Sequence, residues 1–149
     1  MNYLALSITL TIALTFALVA WVLHNESARG WQPLATVFPL TERPTGHSIR
    51  LRWISIGGRG LVGHKSMVVA SVSPAGLTLQ MPLLAWLCYP AMRIPWSAFS
   101  PFRAEKRFIL QTRYTTLVRL PDGTSVPLRI GDADLIQAAQ PWIKLEALY

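Results

Sequence analysis

The chain has 149 residues, a net charge of +7, 52% hydrophobic and only 14% charged side chains, a balance that fits a membrane protein better than a free soluble one. Its one cysteine, Cys88, excludes an intrachain disulfide and a cysteine metal cluster. Beyond the apolar start there is room for a single small domain.

Residues 4–23 carry no charge, no Gly and no Pro. About twenty helical residues at 1.5 Å each span roughly 30 Å, the thickness of a bilayer's hydrocarbon core. Large and small residues alternate here from Leu4 to Leu18, a strand-like period. A lone strand in lipid would leave its backbone unpaired, so residues 1–24 are read as a transmembrane helix. On that helix Ser7, Thr11 and Thr15 form one small-residue row and Ala5, Thr9, Ala13 and Ala17 another. Such rows suit a close-packed partner helix, from a second copy or another membrane protein. The other reading is a lipid-facing helix whose hydroxyls bond back to its own backbone. The start lacks Lys and Arg and has no good small-x-small site, so an uncleaved anchor is expected rather than a signal peptide. Arg29, Arg43, Arg50 and Arg52 follow the span and none precedes it. That bias predicts an inner-membrane protein with its N-terminus out and the following domain in the cytoplasm.

Residues 25–47 read as a connector, rich in Pro and Gly but with Trp31, Leu34, Val37, Phe38 and Leu40 too apolar to float. They are expected to lie along the membrane or against the domain. Residues 48–149 then show the punctuation of short strands. One half-buried strand is expected over 49–56, with Ile49, Leu51 and Trp53 facing one way and Arg50 and Arg52 the other. Further strands are predicted over 65–72, 77–81, 93–96, 107–111 and 114–120. Pro121-Asp122-Gly123-Thr124 is a strong turn into a strand over Ser125–Ile130. Asp132 or Asp134 caps a terminal helix over about 132–148, with a kink or break at Pro141. Antiparallel strands followed by one amphipathic helix make a β-rich α+β domain, a bent sheet or partly open barrel.

The strings Phe38-Pro39, Arg43-Pro44, Gly76-Leu77-Thr78-Leu79 and Pro90-Ala91-Met92-Arg93-Ile94-Pro95-Trp96-Ser97, in this order after a span, carry a resemblance. The chain resembles small bacterial single-pass membrane proteins with a pleckstrin-homology-like (GRAM-like) domain. The likeness implies a bent barrel closed by a helix, in a family of folds that bind lipid, peptide or protein. No phosphoinositide-binding motif of that family maps onto these residues. Trp96 reads as a core anchor in any case.

Residues 82–90 form an apolar run too short to span, bounded by prolines. Leu83, Leu84, Trp86, Leu87 and Tyr89 are candidates for contact with the membrane or a partner. A buried core segment is the alternative, though the run lacks the Val, Ile and Thr usual in buried strands. Arg103, Lys106, Arg107, Arg113, Arg119 and Arg129 are candidates for an anionic surface, with Arg119 and Arg129 as prospective cross-strand neighbours. A tether makes lipid phosphate a nearer anion than nucleic acid. His64 between Gly63 and Lys65 breaks phosphate-loop spacing. The three histidines are scattered and no nucleophile–base set is visible, so no metal, cofactor or catalytic residue is assigned. The expectation is a non-enzymatic, membrane-tethered module that binds anionic lipid or a protein. An accessory subunit of a larger membrane complex and a tethered enzyme are the alternatives.

Overall fold

The computed structural model describes residues 2–57, 68–82, 87, 89–107 and 111–147. It has one long apolar helix at the N-terminus, a two-sheet β-rich body and a short helix near the C-terminus.

Helix α1 covers Tyr3–Arg29. Its segment Tyr3–Asn25 has a mean hydropathy of 2.3, none of it buried by the protein, and is long and apolar enough to cross a membrane. The hydroxyls of Thr9, Thr11 and Thr15 donate to the carbonyls of Ala5, Ser7 and Thr11 at 2.8–2.9 Å. Each therefore satisfies itself four residues back without a partner helix.

The connector is not a loop throughout. After Gly30 the chain forms helix α2, Trp31–Val37. Trp31, Leu34 and Ala35, at helical spacing, enter the domain core. Pro33 sits in the first turn, where its missing N–H leaves no helical bond unmade. The chain then runs beside β5: Arg93 N–H donates to Phe38 O, and Pro39 bridges Met92. This covers an otherwise open sheet edge.

The first sheet has the order β1-β3-β4-β5: His47–Arg50, Val69–Ser73, Gly76–Gln80 and Met92–Ile94. The second is β2-β8-β7-β6-β9: Ile54–Ile56, Ser125–Ile130, Gln111–Arg119, Phe102–Arg107 and Leu145–Ala147. The strand expected over 49–56 is thus two strands in two sheets. Alternation slips at the bend, where Leu51 and Ile54 are both fully buried while Arg52 is exposed and Trp53 half-buried. The slip lets one stretch of chain serve both inner faces. The strand expected over 65–72 is observed as β3, with 65–67 outside the described residues. The one expected over 107–111 is instead the facing ends of β6 and β7, Arg107 opposite Gln111.

The inner faces meet over Leu77, Leu79, Met92, Ile94, Leu128 and Ile130, all essentially without solvent contact. Burial of one such side chain stabilises the fold by about 1.5–3 kcal/mol. Trp96 is half-buried rather than deep in the core. Its Nε1 donates to Ser73 O at 2.7 Å, and its ring stacks on Trp142 at 5.7 Å and contacts Phe99 at 5.6 Å.

Helix α3, Ala133–Ala139, is shorter than expected. It ends before Pro141, and the chain returns as β9, parallel to β6. Asp132 is its N-cap, 4% exposed, accepting from the N–H groups of Asp134 at 3.0 Å and Arg52 at 3.4 Å. It therefore ties the helix start to the β1–β2 bend. Asp132→Ala is expected to cost about 1–2 kcal/mol, against about half that or less for Asp132→Asn, measured as the shift in thermal midpoint.

Candidate functional site

The connections between strands fix which end of the body meets α1. β3 begins and β4 ends at one end of the first sheet, Val69 opposite Gln80, and β5 begins there as well. The chain from β4 to β5 therefore leaves from that end. β2 ends at Ile56, and Gly57 N–H donates to Pro127 O near the start of β8. The β7–β8 turn projects the same way. There Asp122 accepts from both the hydroxyl and N–H of Thr124, which hold its carboxyl below the usual carboxylate range.

The α1–α2 junction docks onto this end. A Cβ on Gly30 would lie 2.7 Å from Ile56 O and 3.0 Å from Gly57 Cα, so only glycine permits the approach. Trp31 Nε1 donates to Pro90 O at 2.8 Å, and its ring meets Tyr89 edge-on at 5.5 Å and 87°. The end of the apolar helix is thus fastened to the β2 terminus and to the stretch before β5. Helix α3 packs on β1 and β3 and follows the opposite end of β8.

Of the candidate inserting residues, Leu87, two positions before Tyr89 in the chain, is 64% exposed. Tyr89 is 2% exposed. It is a core residue held by the Trp31 ring, which corrects its reading as an inserting side chain. Leu83, Leu84 and Trp86 lie outside the described residues.

The predicted cations divide by strand parity. In the second sheet, Phe102, Thr116, Val118, Val126, Leu128 and Ile130 face inward. Arg103, Arg113, Arg119 and Arg129 are on the other, outer face, and Arg107 shares their register. Lys106 has the opposite parity and is exposed at the end of its strand. Arg119 pairs with Ser125 and Arg129 with Thr115, so Arg119 and Arg129 are not the cross-strand neighbours expected. The hairpin tightens around residues 121–124 and sets this register. Arg119 lies toward the junction end. Arg113 is six residues back along β7, about 20 Å at strand spacing, toward the other end.

The central row of the outer face reads Arg103, Thr115, Arg129, Ser55 across four strands. Arg103 Nε is 3.4 Å from a Glu146 carboxylate oxygen, and Arg113 lies 4.4 Å above the Trp53 ring. Arg129 has no ion-pair partner among the described residues. The Trp53–Arg113 contact has no signal in the sequence, because the residues are brought together only by the β2–β8–β7 order.

A shallow groove of about 510 Å³ lies between β1 and α3, lined by His47, Ser48, Ile49, Asp134, Gln137 and Ala138. Among the described residues no group of three His, Cys, Asp or Glu side chains is placed to hold a metal ion. No family model, curated protein or solved structure matches this chain.

Proposed function

We propose that this is a single-pass membrane protein whose pleckstrin-homology-like domain is a non-enzymatic module that binds anionic lipid or a protein partner at the cytoplasmic leaflet. The fold reading is supported by the strand order: a bent first strand shared by two sheets, β1-β3-β4-β5 against β2-β8-β7-β6, with a helix after the last hairpin and β9 added at the β6 edge. The observation that carries the functional reading is the junction. Trp31 is six residues past the end of the apolar segment, about 9 Å along a helix, within the headgroup layer. Its contacts with Tyr89 and Pro90 then hold Leu87 at the bilayer surface, where an exposed leucine is stabilised by apolar contact. Arg119 at the same end adds cationic attraction to an anionic leaflet, on the order of 1 kcal/mol. The self-satisfied Thr9, Thr11 and Thr15 hydroxyls leave the accessory-subunit reading without a favouring observation.

The test uses the full chain in liposomes, with Cys88→Ser removing the native thiol. An environment-sensitive dye on Leu87→Cys should shift to the blue and be quenched by a lipid-borne quencher. The same dye on Gln137→Cys, on α3, should do neither. Equal behaviour at both positions eliminates the reading. In intact cells, an impermeant maleimide should fail to reach Gln137→Cys if the domain is cytoplasmic.

A further inference from the structure

We propose that the outer face of the five-stranded sheet binds a phosphate-type oxyanion between Thr115 and Arg129. The two are direct cross-strand partners, so their Cβ atoms lie about 4.5–5.5 Å apart. Thr115 Oγ1 and Arg129 Nε are both buried atoms with no hydrogen-bond partner among the described residues. Buried polar atoms are normally paired, and two such atoms on directly paired residues point to one acceptor that serves both. A guanidinium nitrogen can only donate, and a threonine hydroxyl can donate as well. The shared occupant is therefore an acceptor.

Charge decides what kind of acceptor. Arg103, opposite Thr115, is matched by Glu146, and Arg113 lies across from Glu105 and over Trp53. Arg129 in the middle of the row has no carboxylate among the described residues. A water would satisfy the hydrogen bonds but bring no opposite charge to the half-buried guanidinium. An oxyanion answers both, and the arginine fork suits phosphate geometry. The row stands two residues from Gly57 along the strand, about 7 Å from the level at which Gly30 docks. A lipid headgroup and a free phosphate compound are both within reach, and the membrane reading above bears only on which of them supplies the phosphate.

The experiment uses the full chain in nanodiscs of neutral phosphatidylcholine, titrated with inorganic phosphate at constant ionic strength by calorimetry. Saturable binding is expected, weakened about tenfold or more by Arg129→Gln. Thr115→Val is the sharper variant. It removes an unpaired buried hydroxyl, so a purely structural role predicts an equal or higher thermal midpoint and no change in binding. The anion site predicts that midpoint together with a loss of binding. Arg129→Lys, which keeps the charge and loses the fork, should fall between the wild type and Arg129→Gln, and it serves where the latter fails to fold. Arg50→Gln, on the other sheet, should bind as the wild type does.

A second arm adds phosphatidic acid to the discs. If it blocks uptake of inorganic phosphate and stays bound to the wild type but not to Arg129→Gln in native mass spectrometry, the source is lipid. Unchanged phosphate binding in both discs assigns a soluble source. Absence of saturable phosphate binding together with absence of Arg129-dependent lipid retention overturns the proposal, as does binding indifferent to both Thr115→Val and Arg129→Lys.

Discussion

Trp31→Ala is expected to destabilise the domain by about 3–5 kcal/mol, the range for truncating a large buried aromatic side chain. Trp31 is 1% exposed, packs with Leu34 and Ala35 in the core, and makes an edge-on contact with Tyr89. Its Nε1 also donates to Pro90 O, a bond the alanine variant lacks. For a domain of this size each kcal/mol is worth roughly 4–8 °C, so the thermal midpoint in nanodiscs should fall by about 15 °C or more. Trp31→Phe separates the two contributions. It keeps most of the ring packing and removes the bond to Pro90 O, worth about 0.5–1.5 kcal/mol. A Trp31→Ala midpoint within a few degrees of the wild type would mean that the junction is not part of the core.

The second large effect is expected at Gly76, which begins β4 with φ +149°. A Cβ there would collide with the carbonyl of Ile94, in the strand that β4 pairs with. Relief requires β5 to move away, which breaks the Leu77–Ile94 pairing and disturbs two fully buried side chains. Strain and displacement together should cost about 2–4 kcal/mol in Gly76→Ala. Gly123 provides the comparison. Its φ is +88°, but nothing lies within 4 Å of its Cβ position, so Gly123→Ala should lose only about 1 kcal/mol. Equal losses in the two variants, by thermal melting, would show that the clash with β5 is absorbed. Faster amide exchange at Leu77 and Ile94 in Gly76→Ala alone is the local signature.

What could be read from the chain was local chemistry. The long apolar helix needed only length and apolarity, and the turn at 121–124 is encoded by Pro, Asp and Gly within four residues, so β8 was located to the residue. A cap at Asp132 or Asp134 followed from their place before an apolar period, and the structure selects Asp132. Features that depend on distant partners were not legible. Helix α2 has seven residues, too few to establish a period, although Trp31, Leu34 and Ala35 carry the right spacing. The phase slip at residues 51–54 exists because the strand serves two sheets, and β9 exists because Phe102–Ala104 waits on the far side of the sheet. The same division holds for the candidate sites. Alternating arginines announced an outer face, but the partner of Arg129 depends on register. Thr115 is one of several threonines until the pairing sets it opposite that guanidinium. Tyr89 belonged to an apolar run that looked uniform, and only the approach of Trp31 separates it from Leu87.

With Gly30 wedged against Ile56 and Trp31 packed in the core, the domain has no slack between itself and α1. A flexible linker would let it sweep a hemisphere whose radius grows with the square root of linker length. Here that radius is close to zero. If α1 spans a bilayer, the domain surveys only the patch of leaflet beneath its own footprint, and any lipid or membrane protein it engages must arrive by diffusing in two dimensions. Any tilt of the helix is also passed on as rotation of the whole β-body, like a hand on a splinted wrist.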